Sequence, residues 1–170
     1  MLEFLNVEPD PKQLPLSKLL SASTIELALH ANARETLFTE LIDKIPSLRQ
    51  KPEARAKLLQ ALLEREKLCS TGLGEGVALP HTRNTIAGMG ERAILVFGRH
   101  ASGIDYGAID GAPVKLFFLL LAPNVSQHLH ILARLTRLLR APQIRQNLLH
   151  APTPAGVIAL IHEAEEKMQR

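Results

Sequence analysis

Tryptophan is absent from these 170 residues, tyrosine and cysteine occur once each, and phenylalanine occurs five times. With so few rings, Leu, Ile, Val and Ala must fill any core. A single cysteine, Cys69, cannot close an internal disulfide. The opening MLEFLNVEPDPK has no basic start and no long apolar run, so it does not read as a secretory leader. Together these point to a reducing, cytoplasmic compartment. Long hydrophobic runs are also missing. The longest, Leu116 to Pro123, falls far short of the ~20 residues of a membrane helix, so no direct membrane insertion is expected. Neither sign of charge dominates. The formal charge is +3, with no block of Lys or Arg, and this argues against nucleic acid as a partner. Arg134, Arg137 and Arg140 recur at three-residue spacing and read as a solvated helix face.

What is present is globular: 46% hydrophobic and 22% charged residues, with length enough for one domain and its core. Residues 1–15 carry Pro9, Pro11 and Pro15 and read as an extended arm, docked through Leu2, Phe4 and Leu5. Residues 16–170 read as the domain. Leu16 to Leu20 suggests one helical turn. Ile25, Leu27 and Leu29 alternate as in a strand. Asn32 and Glu35 resemble a capping box before a helix carrying Leu37, Phe38, Leu41, Ile42 and Ile45. Pro52 suits the first turn of a second helix, whose apolar face is Leu58, Leu59, Leu62 and Leu63.

Two continuous apolar runs follow, Ala93 to Phe97 and Val114 to Leu121, as expected of strands buried on both faces. Ser102-Gly103 and Asp110-Gly111 read as turns. Ser126 is the expected N-cap of a helix to about Arg140, with Leu129, Leu132, Leu135 and Leu139 on its stripe. Pro142 and Pro154 open two further helices. Alternating elements with buried strands predict a single-domain α/β three-layer sandwich, a mixed and mostly parallel sheet flanked by helices.

The chemistry concentrates in Arg65 to Arg83, REKLCSTGLGEGVALPHTR. His81 directly follows an apolar run and Pro80, which holds it at a strand end. His128 falls in the first turn of a helix that follows a buried strand. Ligands of α/β sheets bind at such strand ends, and a helix N-terminus favours an anion. His30, His100, His130, His150 and His162 sit at element ends or on helices and read as structural or solvated. Cys69, His81 and His128 match no metal-ligand spacing, so no metal is expected. Cys69 reads as a buried small residue rather than a nucleophile. TGLGEG lacks the lysine of a P-loop and by itself is a turn. Arg65 between two glutamates would by itself be a solvated helix end.

That stretch resembles the active-site signature of enzyme IIA of the bacterial phosphotransferase system, of the fructose/mannitol/nitrogen-regulatory type. The matching features are the Arg-Glu pair, Ser-Thr-Gly, alternating glycines, and an apolar strand ending in Pro-His. GIDYGAIDGAPV, from Gly103 to Val114, and His128-Leu129 agree with it, and the resemblance runs from about Leu16 to the C-terminus. Thr82 stands where the family often has a small residue such as glycine, and Tyr106 where it often has phenylalanine.

The resemblance implies that His81 accepts a phosphoryl group from phospho-HPr or its nitrogen-branch relative. The group then passes to an enzyme IIB, or is kept as a signal that regulates target proteins. Arg65 and His128 would assist at the phosphoryl oxygens, with Ser70 and Thr71 as further donors and Arg83 as a weaker one. No cofactor is implied. The absence of a fused transporter favours the nitrogen-type regulator over a sugar-uptake enzyme IIA. A binding module of the same fold with a vestigial histidine is the reading from another class.

Overall fold

The structure, a computed structural model, describes residues 14–83 and 92–169. The expected arm at residues 1–15 lies almost wholly outside the described residues, as does the polar, glycine-containing loop expected after His81. Among the described residues there are five α-helices: α1 (Arg34–Asp43), α2 (Pro52–Leu68), α3 (Val125–Leu139), α4 (Pro142–His150) and α5 (Pro154–Met168). The strands are β1 (Ile25–Glu26), β2 (Gly72–Gly74), β3 (Val77–Ala78), β4 (Ile94–Ile104) and β5 (Val114–Leu121). They form one sheet in the order β1-β4-β5-β3-β2.

The sheet is mixed, but parallel pairing does not predominate. β1 with β4 and β3 with β5 are parallel, whereas β4 with β5 and β2 with β3 are antiparallel. The longest ladder, β4 with β5, is antiparallel, because their connection is a short loop rather than a crossover helix.

Alternation along β5 explains its unbroken apolar run. Leu116, Phe118 and Leu120 pack with α3, α4 and α5. Phe117, Leu119 and Leu121 pack with α1 and α2. Side chains of successive residues leave a strand on opposite faces, so a sheet covered on both sides has no polar face to show. The three-layer arrangement follows directly.

Local details depart from the sequence pattern in instructive places. β1 is only two residues long, although the Leu29 N–H still bonds the Arg99 carbonyl. α1 starts after Ala33, so Asn32 lies outside the cap position; the carboxylate that reaches back is Glu40, accepting from the His30 N–H at 3.1 Å. Ser102-Gly103 is not a strand-ending turn but an irregularity within β4. The pairing moves from Arg99 opposite Leu116 to Ile104 opposite Val114, and Gly103 takes a φ of 85°. At α3 the N-cap is Asn124, whose Oδ1 accepts the Gln127 N–H at 2.9 Å, and not Ser126. Its buried stripe is Ile131, Leu135, Leu138 and Leu139, while Leu129 is 60% exposed.

Phe118 is fully buried and its ring lies 5.0 Å from that of Phe97. Truncating Phe118→Ala should cost about 3–5 kcal/mol, as large cavities in rigid cores do. Urea unfolding would measure it, and a loss no larger than that of a surface substitution would contradict the close packing of this layer.

Candidate functional site

β3 delivers His81. The strand is short, but its attachment continues beyond the two ladder residues: the Leu120 N–H donates to the Pro80 carbonyl at 3.1 Å, and His81 bridges Leu120. On the other side the Leu79 N–H reaches the Thr71 carbonyl. Pro80 has no N–H, so pairing toward β2 stops there. The β2–β3 hairpin turns through Gly74, Glu75 and Gly76, all at positive φ (89°, 56° and 77°). Asp110 steadies this turn by accepting the Glu75 N–H at 2.9 Å, and that bond with the Ala112 N–H holds its carboxyl below the usual range. Gly72 is required by proximity: a Cβ there would lie 2.8 Å from the Ala108 side chain.

The His81 ring is half-buried, and its Nδ1 sits 2.7 Å from the Leu79 carbonyl oxygen. A carbonyl can only accept, so Nδ1 carries the proton and Nε2 keeps its lone pair. The ring of His128, on the first turns of α3, stands 5.0 Å away, tilted by 56°. Burial holds the His81 pKa below 6.5; the Leu79 carbonyl opposes this, Arg65 adds to it, and Glu66 opposes it. Burial, then His81 and Arg65, hold His128 down to about 4. Both rings are therefore neutral at pH 7.

Arg65, His81, Arg83 and His128 line one small cavity of about 180 Å³, with Thr82, Val125 and Leu129 also in its wall. Arg65 projects from the last turn of α2, where its Nη1 donates to the Cys69 carbonyl at 2.7 Å. Ser70 and Thr71 do not line the cavity. The Ser70 hydroxyl accepts the Gly72 N–H. Thr71 is buried, with its hydroxyl bonded to the Glu66 carboxylate and 2.9 Å from the Tyr106 hydroxyl. Cys69 is exposed rather than buried, because α2 ends just before it and its backbone turns outward as an extended cap.

Glu66 is the residue that sequence reasoning passed over as part of a charged helix end. It is buried, accepts from the Thr71 N–H at 3.1 Å and from the Tyr106 hydroxyl at 2.7 Å, and has Arg34 at 3.9 Å. The signal was in the spacing: Leu58, Leu62 and Glu66 recur every four residues, which continues the buried stripe of α2. Burial and the neighbouring Glu66 charge push the Tyr106 phenol far up, so it remains a donor. This network fixes the start of the glycine loop beneath His81.

Comparison with known proteins gives the family. Residues 18–164 match the family model described as phosphoenolpyruvate-dependent sugar phosphotransferase system, EIIA 2. The chain belongs to that family. It is 39% identical to a nitrogen regulatory protein of Bradyrhizobium diazoefficiens over 137 residues, covering 79% of this chain and 86% of that protein. It is 33% identical over 158 residues to the PTS system fructose-specific EIIABC component of Bacillus subtilis, covering 90% of this chain but only 24% of that longer protein. Among solved structures, nitrogen regulatory protein IIA-Ntr of Neisseria meningitidis superposes with a TM-score of 0.76 at 32% identity, covering 85% of this chain and 97% of that one. No helix among the described residues of this EIIA 2 chain is long and apolar enough to cross a membrane.

Two outcomes follow. An imidazole whose pKa is lowered by folding binds fewer protons in the folded chain than in the unfolded one. Stability contributed by neutral His128 is therefore present above pH 6.5 and lost as the pH falls toward about 4. His128→Gln should flatten that part of the stability–pH curve, read by urea midpoints at successive pH values; an unchanged slope would refute the shift. Separately, Tyr106→Phe removes one donor from a buried carboxylate and should cost about 1.5–3 kcal/mol. Tyr106→Phe with wild-type thermal stability would mean that the Glu66 network contributes little.

Proposed function

We propose that this chain is a phosphoryl carrier that accepts its group on Nε2 of His81 from phospho-HPr or the nitrogen-branch relative of HPr. The observation that carries this is the bond of His81 Nδ1 to the Leu79 carbonyl, which leaves Nε2 as a neutral nucleophile beside a second neutral imidazole and an arginine. As the Nε2–P bond forms, the donor's N–P bond breaks and its electron pair returns to the donor ring. The proton on His81 Nδ1 stays in place, and the Leu79 carbonyl stabilises the charge the ring then carries.

Three groups favour the transferring phosphoryl. Arg65 gives up its Cys69 carbonyl for the phosphoryl oxygens, forming a charge-assisted bond. His128 donates from its N–H. The start of α3, whose first residue Val125 lines the same cavity, adds the partial positive charge of a helix N-terminus. Arg83 is exposed on the rim, where it serves the partner as much as the phosphoryl. Ser70 and Thr71 act through the loop they hold. Transfer of this kind needs positioning and charge stabilisation more than covalent help. The catalytic set is therefore His81, His128 and Arg65.

We further infer a nitrogen-type regulatory role, with regulated proteins as downstream partners. The support is the likeness to relatives named nitrogen regulatory protein along most of their own length. Fructose-type uptake with an enzyme IIB partner is the second reading, favoured by the 33% identity to the fructose-specific relative.

Intact mass after incubation with phosphoenolpyruvate, enzyme I and either HPr or its nitrogen-branch relative tests the proposal. One acid-labile, alkali-stable phosphoryl group should appear, and His81→Ala should abolish it. His128→Gln should slow transfer by about 10²-fold, the effect of losing one preorganised donor. Faster transfer from the nitrogen-branch donor supports regulation, and faster transfer from HPr supports uptake. No phosphoryl gain with either donor would leave a binding module in its place.

A further inference from the structure

We propose that a second cleft, at the opposite end of the sheet from His81, binds a small phosphorylated organic molecule. The cleft lies between β4, the start of β5 and the last turns of α4, and encloses about 510 Å³. That falls within the roughly 300–1,000 Å³ of small-molecule sites. Lys115 in its wall is five residues along β5 from Leu120, the partner of His81, about 17 Å at strand rise. The two sites therefore share a strand but not a surface.

Its polar wall is made by Arg99, His100, Lys115, Gln146 and His150, and no carboxylate lines it. Arg99 is fixed in position. Its Nε donates to the Leu27 carbonyl at 3.2 Å, and its Nη1 to those of Leu148 and Ala151 at 3.1 and 2.7 Å. Lys115 has no ion-pair partner among the described residues. His100 is buried, and its Nδ1 accepts the Gly103 N–H at 2.9 Å, so the ring proton is on Nε2. His150 holds its Nδ1 2.8 Å from the Gln146 carbonyl.

These groups come from three separate elements and converge without any acid to neutralise them. Two of them, Arg99 and Lys115, are cations, and two such charges without an acid in the cleft wall attract an anion. With the His100 Nε2–H and the Gln146 amide, their donors spread over several directions and suit the three oxygens of a phosphate monoester better than the planar fork of a carboxylate. Leu27 and Leu149 supply an apolar wall, and the volume exceeds that of bare phosphate, so the ligand carries an organic body. Within the irregular part of β4, the Gly103 N–H holds the His100 ring in the cleft wall. The inference does not rest on phosphoryl transfer at His81.

Amide NMR titration of the full chain with glucose 6-phosphate tests it, with inorganic phosphate, citrate and glucose as the other arms. Glucose 6-phosphate should shift the amides of residues 99–101, 115 and 146–150 with a Kd of about 1 mM or tighter. The same response should persist in His81→Ala, which separates this cleft from the anion-attracting cavity at His81. Inorganic phosphate should bind the same residues more weakly, and glucose should not bind. Lys115→Met should weaken binding about tenfold or more. The exposed Gln146→Ala, which leaves the core intact, should weaken it in the same direction. Absence of saturable shifts at the cleft, or shifts confined to the surroundings of His81 and His128, would overturn the proposal. Citrate binding as tightly as the phosphate ester would overturn the choice of phosphate.

Discussion

The short parallel attachment of β3 to β5 is the constraint on which the rest depends. It consists of two ladder residues, the Leu120 N–H on the Pro80 carbonyl, and the bridge from His81 to Leu120. A one-residue slip would send His81 to the other face of the sheet, since side chains alternate. The register cannot slip cheaply, because Val77 belongs to the core beneath α3–α5 and Ala78 to the core beneath α1 and α2. Hydrophobic burial on two faces thus aims one imidazole. The same strand, β5, ends in the loop capped by Asn124, which starts α3 and brings His128 to the opposite wall.

Electrostatics then divide the site into two levels. In the cavity, burial keeps both imidazoles neutral and Arg65 reinforces this, so the positive charge there belongs to the arginines and not to the rings. Beneath it lies Glu66, a buried negative charge held by Thr71 and Tyr106, with Arg34 close by. A buried carboxylate is tolerated only when its oxygens are bonded. Meeting that requirement immobilises Thr71, and Thr71 in turn receives Leu79, the residue whose carbonyl orients His81. A structural necessity in the core is thereby transmitted to the His81 ring through three consecutive hydrogen bonds.

Much of the fold was legible in the chain. The two apolar runs became β4 and β5, Pro52, Pro142 and Pro154 each opened a helix, and α1 buried four of the five residues whose spacing marked them, with Ile45 buried just past its end. These features are local: a period of hydrophobic residues or a missing N–H acts within a turn or two of itself. Where the reading failed, the competing influence came from elsewhere in space. The stripe of α3 was displaced toward Ile131 and Leu138 because its first turn overhangs the His81 cavity and not the core, which leaves Leu129 and Val125 exposed. The predominance of parallel pairing was misjudged because strand direction depends on how a connection crosses the sheet, and nothing local records that.

By itself, the sequence determined the α/β class and the strand-end position of His81 through periodicity and a proline, while Arg65 and His128 were joined to it by the resemblance to the enzyme IIA signature. Only the tertiary structure decided which nitrogen of His81 is free, that Thr71 faces Glu66 and not the cavity, and that His100 and Lys115 meet α4 in a second cleft. Those outcomes depend on hydrogen-bond partners and charges brought together from distant parts of the chain. Spacing along the chain carries no information about which of them will meet.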